Sequence, residues 1–140
     1  MESDDQNGLL SREEHLSRMR KDRFVCDMLG VKLTDAGIGY AKAELTLNEL
    51  HLNGVGIVQG GVLFTLADYT FAAACNYSQE AVVGIETSVS FLKSSRTGTI
   101  YAEAHEISRT KRFSVCSVQV TDENNNLLIQ FMGRGYIIQK

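Results

Sequence analysis

Apolar and polar residues alternate along much of the chain, and this alternation predicts strands. From residue 40 to residue 47 the sequence reads YAKAELTL, with an apolar residue at every second position, which predicts a half-buried strand within residues 31–47. Four later segments are rich in Val, Ile, Thr, Phe and Tyr and predict strands over residues 81–93, 99–108, 112–122 and 127–138. The short joints between these four segments predict antiparallel hairpins.

Two segments depart from this alternation and predict helices. Residues 60–76 are apolar around almost the whole helical circumference, so we expect a long central helix that the sheet encloses. The sequence from Ser11 to Glu14 has the form of a capping box, which predicts a flanking helix over residues 12–29 with His15 on its surface and Gly30 at its end. The predicted class is therefore α+β, with five antiparallel strands wrapped around one helix.

Length, charge and cysteine usage restrict the class of protein. The 140 residues suit one domain, and we expect a flexible N-terminus over residues 1–10 followed by a single domain over residues 11–140. The net charge of −3 argues against nucleic-acid binding. The acidic N-terminus does not resemble a signal peptide, and the three cysteines lack metal-binding spacing. We expect a cytoplasmic protein that binds neither metal nor membrane.

One charged residue stands alone in the central segment. Between Glu49 and Glu80 the only formally charged side chain is Asp68. A carboxylate in apolar surroundings loses hydration unless it is paired or its pKa rises, so Asp68 is the first candidate for chemistry. The alternative is a structural role, in which Asp68 bonds a hydroxyl such as that of Thr65 or Tyr69.

The segment that leads into Asp68 carries a recognisable motif. Residues 51–68 read HLNGVGIVQGGVLFTLAD, which resembles the Asn-x-x-Gly-x-x-His-Gly-Gly motif and helix carboxylate of PaaI-like (phenylacetic acid degradation-type) acyl-CoA thioesterases. The order of predicted elements also resembles their hotdog fold over nearly the whole chain. The resemblance implies that the chain hydrolyses an acyl-CoA thioester to a carboxylic acid and coenzyme A.

The resemblance also implies roles for individual residues. It places the oxyanion-binding backbone amide at Gly60, the loop asparagine at Asn53 and the helix carboxylate at Asp68. The first amides of a helix lack internal partners and lie at the positive end of its dipole, and Gly60 and Gly61 carry no side chains that would block a substrate carbonyl from approaching these amides. Asp68 would act either as general base on water or as nucleophile, and both uses remain open.

Two positions differ from the family pattern. Gln59 stands where the family usually has His; its amide can donate a hydrogen bond to substrate but cannot transfer a proton. Gly84 stands where a serine or threonine often follows the central helix, although Thr87 or Ser88 would take that place in another register. These departures keep a second hypothesis open, in which the chain is a non-catalytic module that binds acyl-CoA.

The spacing of Gly60 and Asp68 predicts a dimer. Eight positions separate these residues, which corresponds to about 12 Å along a helix. One helix cannot easily bring both groups to one carbonyl, whereas two antiparallel helices related by a two-fold axis can. We therefore expect a homodimer with two shared sites, and the resemblance implies that dimers pair into homotetramers. No cofactor is expected.

Coenzyme A carries phosphates, which cationic side chains bind. Clusters of basic residues occur at two predicted turns, and we select Arg96 from one and Arg112 from the other as candidate contacts. The alternative is that these side chains are ordinary solvated charges at turns.

Overall fold

Six antiparallel strands form one sheet against a central helix in the computed structural model, which describes residues 8–139. Within residues 8–139 the α-helices are α1 (Arg12–Met19) and α2 (Gly60–Cys75). The strands are β1 (Lys32–Gly37), β2 (Tyr40–Thr46), β3 (Val82–Phe91), β4 (Thr99–Arg109), β5 (Phe113–Thr121) and β6 (Leu127–Ile137). The predicted α+β class with a central helix and a flanking N-terminal helix is confirmed.

The sheet has one strand more than predicted. The segment over residues 31–47 is a hairpin of β1 and β2 rather than one strand, because the chain reverses between Gly37 and Tyr40, which pair with each other. Gly39 in this turn has a φ of 69°, a conformation that favours glycine. The alternation that predicted a strand continues on both sides of the turn, so it did not reveal the reversal.

The position of β3 also differs from the prediction. The strand order is β1-β2-β4-β5-β6-β3, so β3 pairs with β6 and the predicted hairpin between β3 and β4 is wrong. Strand β4 pairs with β2 on one side and β5 on the other, which leaves β3 at the edge. Most of β3 is exposed, including Val83 and Ile85. An uncovered edge strand of this length presents free backbone groups to a second chain.

The core lies between α2 and the inner face of the sheet. Leu66 and Ala67 of α2 are fully buried, as is Phe131 of β6. The ring of Phe71 lies 5.9 Å from that of Phe131 and packs against the backbone of Gly133, where a Cβ atom would come within 3.1 Å of the Phe71 ring. Small residues in β6 therefore let an aromatic side chain of the helix reach the sheet.

The flanking helix is shorter than predicted. The capping box is present, since Ser11 and Glu14 bond each other's backbone amides, but α1 ends at Met19. Asp22 then accepts a hydrogen bond from the Val25 amide at 3.1 Å and starts a separate π-helical segment, Phe24–Leu29, which ends at Gly30 as expected. A second capping side chain inside the predicted helix thus divides it.

His15 was predicted on the surface of the flanking helix, and this prediction is wrong. The ring is fully buried, and its Nε2 atom donates a hydrogen bond to the Ala73 carbonyl of α2 at 2.7 Å. The predicted flexible segment over residues 1–10 lies largely outside the described residues, although Leu9 forms a β-bridge with Ser78. No helix among residues 8–139 is both long and apolar enough to cross a bilayer.

Candidate active site

The start of α2 presents two backbone amides without protein acceptors. Gln59 caps the helix: its Oε1 accepts a hydrogen bond from the Val62 amide at 3.2 Å. Within residues 8–139 the amides of Gly60 and Gly61 have no acceptor. Because these groups lie at the positive end of the helix dipole, they can bind a developing negative charge. The carbonyl oxygen of the Gln59 side chain is therefore occupied by the helix, and its NH₂ group is the part that can bind a substrate.

Asn53 organises the loop that precedes this helix. Its Oδ1 atom accepts hydrogen bonds from the amides of Val55 at 3.0 Å and Ile57 at 3.2 Å. The buried ring of His51 fixes the same loop through the Asn48 amide and the Leu29 carbonyl. With both lone-pair directions of Oδ1 used by the loop, the Nδ2 amide is the part of Asn53 that remains available to a substrate.

Asn53 and Gly60 line the same cavity. Its volume is about 320 Å³, and its wall is mostly apolar apart from Asn53, a lysine and a serine. Its lining residues are Asn53, Ile57, Val58, Gly60, Leu63, Phe91, Leu92, Lys93 and Ser94. The Phe91 ring closes one side, since a Cβ atom on Gly60 would lie 3.5 Å from Phe91 Cε1. Amide donors at an apolar cavity are suited to holding a polarised carbonyl.

Asp68 does not line this cavity. It lies on an exposed stripe of α2, formed by exposed Gly61 and Asp68 and half-buried Thr65 and Ala72. The expectation that the sheet encloses the whole helix is therefore wrong for one chain, because a single sheet covers only one side of it. A separation of about two helical turns, or about 12 Å along the axis, keeps Asp68 away from Gly60 of the same chain.

Among the described residues, no side chain or backbone group bonds the carboxylate of Asp68. Neither Thr65 nor Tyr69 bonds it: Tyr69 Oη donates to the Met19 carbonyl at 3.1 Å, and the described residues contain no hydrogen-bond partner for Asp68. Although exposed, the carboxylate stands among apolar neighbours that partly desolvate it. This desolvation raises the pKa of Asp68 above its ordinary value, and the negative charge of Asp22 raises the pKa further. A free carboxylate with a raised pKa is suited to accepting a proton.

The remaining predicted site residues, Gly84, Arg96 and Arg112, do not line the cavity that contains Asn53 and Gly60. Gly84 is paired with Gly135 next to a β-bulge, and a Cβ atom there would lie 3.5 Å from the Phe71 ring. Arg96 lines a second cavity of about 320 Å³ that shares Ile57 and Ser94 with the first, but Asp122 and Glu123 line it too. A phosphate near Arg96 would therefore also meet two carboxylates.

Arg112 lies at the other end of α2. It belongs to the turn between β4 and β5, where Arg109 donates a hydrogen bond to the Cys75 carbonyl at 3.1 Å. Since Cys75 is the last residue of α2, Arg112 and Gly60 of one chain stand near opposite ends of the helix. Both Arg96 and Arg112 are exposed.

The sequence patterns did not place two residues, Asp22 and Phe91, near the site. Asp22 lies inside the flanking helix predicted over residues 12–29. Since Asp is a common N-terminal capping residue, its presence there is the signal that indicates the start of a second helical segment. Phe91 lies within a predicted strand, and only the pairing of β3 with β6 places it beside Gly60. Between Gly8 and Gln139 no group of three or more His, Cys, Asp or Glu side chains is placed to hold a metal ion.

Comparisons with known proteins identify the family. A family model described as the thioesterase superfamily matches residues 55–129, a range that contains Gly60 and Asp68. The chain is 30% identical over 111 residues to acyl-coenzyme A thioesterase PaaI of Escherichia coli, covering 79% of each protein. It is 28% identical over 123 residues to human acyl-coenzyme A thioesterase 13, covering 85% of this chain and 88% of the human protein.

The fold agrees with these sequence relationships. The structure of the E. coli PaaI protein from the phenylacetic acid degradation operon superposes with a TM-score of 0.83 at 27% identity, covering 92% of this chain and 97% of that one. Both sequence relatives named above are enzymes rather than binding modules. The chain therefore belongs to the thioesterase superfamily, and it is a PaaI-like thioesterase with the hotdog fold.

Proposed function

We propose that the chain hydrolyses acyl-CoA thioesters at a site shared by two subunits, with the Gly60 amide of one subunit opposite Asp68 of the other. One observation carries this proposal: Gly60 and Asn53 line one cavity, whereas Asp68 lies on the exposed stripe outside it. Neither half is complete, because the cavity lacks a base and the base lacks an oxyanion site.

A two-fold axis brings the halves together. If two copies of α2 run antiparallel with Gly60 facing Asp68, the axis passes close to Phe64, which is halfway between them. The residues available for such a contact are those of the exposed stripe, which the sheet leaves uncovered. The uncovered edge of β3 offers a second surface, since two copies could continue one sheet through it. Both surfaces support a homodimer, and pairing of dimers into tetramers remains our expectation.

The chemistry then follows from the groups that meet. The thioester carbonyl accepts hydrogen bonds from the Gly60 amide and from Asn53 Nδ2. As general base, Asp68 takes a proton from water while the water oxygen bonds to the carbonyl carbon. The C–S bond then breaks, and the thiolate recovers the proton from Asp68. As nucleophile, Asp68 would instead bond to the carbonyl carbon while the C–S bond breaks and the thiolate leaves, and water would hydrolyse the resulting anhydride to the free acid and the Asp68 carboxylate, with one water proton passing to the thiolate. Water is the only co-reactant in either case.

Cationic side chains that could bind the coenzyme A portion lie near both ends of α2. Arg96 lies next to the Gly60 cavity of its own subunit, and Lys93 lines that cavity directly. Antiparallel helices would place the C-terminal end of α2 in one subunit near the Gly60 end of the other. We therefore propose that Arg96 from one subunit and Arg112 from the other contact the nucleotide phosphates.

Subunit complementation tests the shared site. Gly60→Pro removes the oxyanion amide and Asp68→Asn removes the base, so each variant alone should lose most of its thiol release from an acyl-CoA. When the two are mixed, denatured and refolded together, heterodimers contain one intact site. Random pairing should restore about a quarter of the wild-type activity. A mixture as inactive as its parents would show that each site uses groups of one chain.

A matched mixture provides the control. Wild-type subunits are refolded with the double variant Gly60→Pro, Asp68→Asn. With shared sites these heterodimers have no intact site, so about a quarter of the activity should remain, whereas sites within one chain would leave about half. Mass photometry of each mixture reports whether the dimers form.

A further inference from the structure

Two threonines of α2 use their hydroxyl groups differently. Thr70 is fully buried, and its Oγ1 donates a hydrogen bond to the Leu66 carbonyl at 2.7 Å. Thr65 is half-buried, and its Oγ1 has no hydrogen-bond partner in the part of the chain that the structure describes. A threonine inside a helix usually bonds the preceding turn or faces solvent. Thr65 therefore keeps its hydroxyl available on the exposed side of α2.

Thr65 lies beside the candidate base. It precedes Asp68 by three positions, which places the two Cβ atoms about 5–6 Å apart on the same face of the helix. The other polar side chains of α2, Tyr69 and Thr70, are buried and bond backbone carbonyls. Among the residues of α2, Thr65 is thus the uncharged polar side chain that accompanies Asp68 on the exposed stripe.

The shared site would place Thr65 beside the two reacting groups, displaced along the helix axis. This step rests on the proposed function, which sets Asp68 level with the Gly60 amide of the other subunit. Thr65 is then about 4.5 Å along the axis from both groups, toward the two-fold axis. A water molecule between the carboxylate and the carbonyl would lie within reach of the Thr65 hydroxyl, and two acceptors would orient it better than one.

We infer that Thr65 is a positioning residue of the thioesterase, whose hydroxyl oxygen accepts one hydrogen bond from the attacking water while Asp68 accepts the other. The proton on the Asp68 side passes to the carboxylate as the water oxygen bonds to the thioester carbon. The second water proton stays with the oxygen that Thr65 orients. Thr65 itself neither gains nor loses a proton, and its role is to direct the lone pair of the water toward the carbonyl.

Two substitutions separate this role from packing. Thr65→Val keeps the branched shape and removes the hydroxyl, and it should lower kcat about tenfold, the effect of losing one hydrogen bond, with KM nearly unchanged. Thr65→Ser keeps the hydroxyl and should recover kcat to within about twofold of the wild type. Thr70→Val makes the same chemical change at a buried position of the same helix and should leave kcat unchanged.

The outcomes distinguish this inference from the proposed function. Asp68→Asn is measured in parallel, and its loss of activity together with an unchanged kcat in Thr65→Val would overturn the role of Thr65 alone. Equal losses in Thr65→Val and Thr65→Ser would also overturn it, since the hydroxyl would then not matter. Full activity in Asp68→Asn would overturn the proposed function instead. Thermal melts and the oligomeric state of each variant exclude a folding defect, and Thr65→Ala replaces Thr65→Val if the latter does not fold.

Discussion

Removal of a single amide hydrogen at Gly60 is the most direct test of the oxyanion site. Gly60 is the first residue of α2, a position where proline is well tolerated and where its missing N–H breaks no helical hydrogen bond. The preceding residue, Gln59, has φ −68° and ψ 134°, a conformation that a following proline favours. Gly60→Pro should therefore fold normally while it deletes the proposed donor.

The expected loss follows from the number of donors. In the proposed site the carbonyl oxygen is held by the Gly60 amide and Asn53 Nδ2, so the substitution removes one donor and leaves another. Loss of one oxyanion donor costs about 10²–10³ in kcat, or roughly 3–4 kcal/mol of transition-state stabilisation. An interaction made mainly in the transition state lowers kcat and kcat/KM together.

Gly60→Ala is the matched control for this measurement. It keeps the amide, and its Cβ atom would lie 3.5 Å from Phe91 Cε1, an ordinary contact. We expect its kcat for acyl-CoA hydrolysis, followed by thiol release, to stay within about threefold of the wild type, since only small shifts at the site are needed. An oxyanion-binding role for the Gly60 amide is refuted if Gly60→Pro folds and keeps the wild-type kcat. It is also refuted if Gly60→Ala loses as much kcat as Gly60→Pro.

Three further predictions concern pH and packing. Because the charge of Asp22 adds to the desolvation that raises the pKa of Asp68, Asp22→Asn should move the acidic limb of the pH–rate profile to lower pH; an unmoved limb would contradict this. Burial lowers the pKa of His15 below 6.5, so the unfolded chain binds more protons, and the free energy of unfolding should be maintained above about pH 6.5 and fall below it. Urea melts from pH 5 to 8 measure this, and His15→Gln should flatten the dependence. Gly133→Ala would place a Cβ atom 2.9 Å from Phe131 Cε1 and should lower the free energy of unfolding by about 1–3 kcal/mol. Gly84→Ala would place its Cβ atom 3.5 Å from the Phe71 ring and should change the free energy of unfolding little. Equal urea midpoints for the two variants would contradict this prediction.

Sequence periodicity predicted individual elements better than their arrangement. The four later strands and the central helix appear close to their predicted bounds because alternation and apolar character act within a few residues. The pairing of β3 with β6 involves residues such as Val89 and Phe131, which are far apart in the chain. A short joint between β3 and β4 favoured a hairpin, but β2 occupies the side of β4 that the hairpin would need.

The candidate site shows the same division. The motif indicates Asn53, the glycines at the start of α2 and Asp68, because the chemistry of each position requires a particular residue type. The sequence did not indicate that Gln59 caps the helix with its side chain, that Asp22 influences the pKa of Asp68, or that Thr65 and Thr70 differ in their hydrogen bonds. The last two depend on how the rest of the chain packs around α2, whereas the Gln59 cap is a contact within the first turn of the helix.

Local sequence patterns are enough to predict the α+β class, the central helix and the eight-residue spacing that keeps Gly60 and Asp68 of one chain apart, since helix geometry converts that spacing into a distance. The exposure of Asp68, and the cavity that Gly60 shares with Asn53 and Phe91, follow from how the chain packs. The physical reason is that periodicity records how apolar each position is, whereas burial depends on which distant segment covers it. One sheet covers one side of α2 and leaves the stripe that carries Asp68 open.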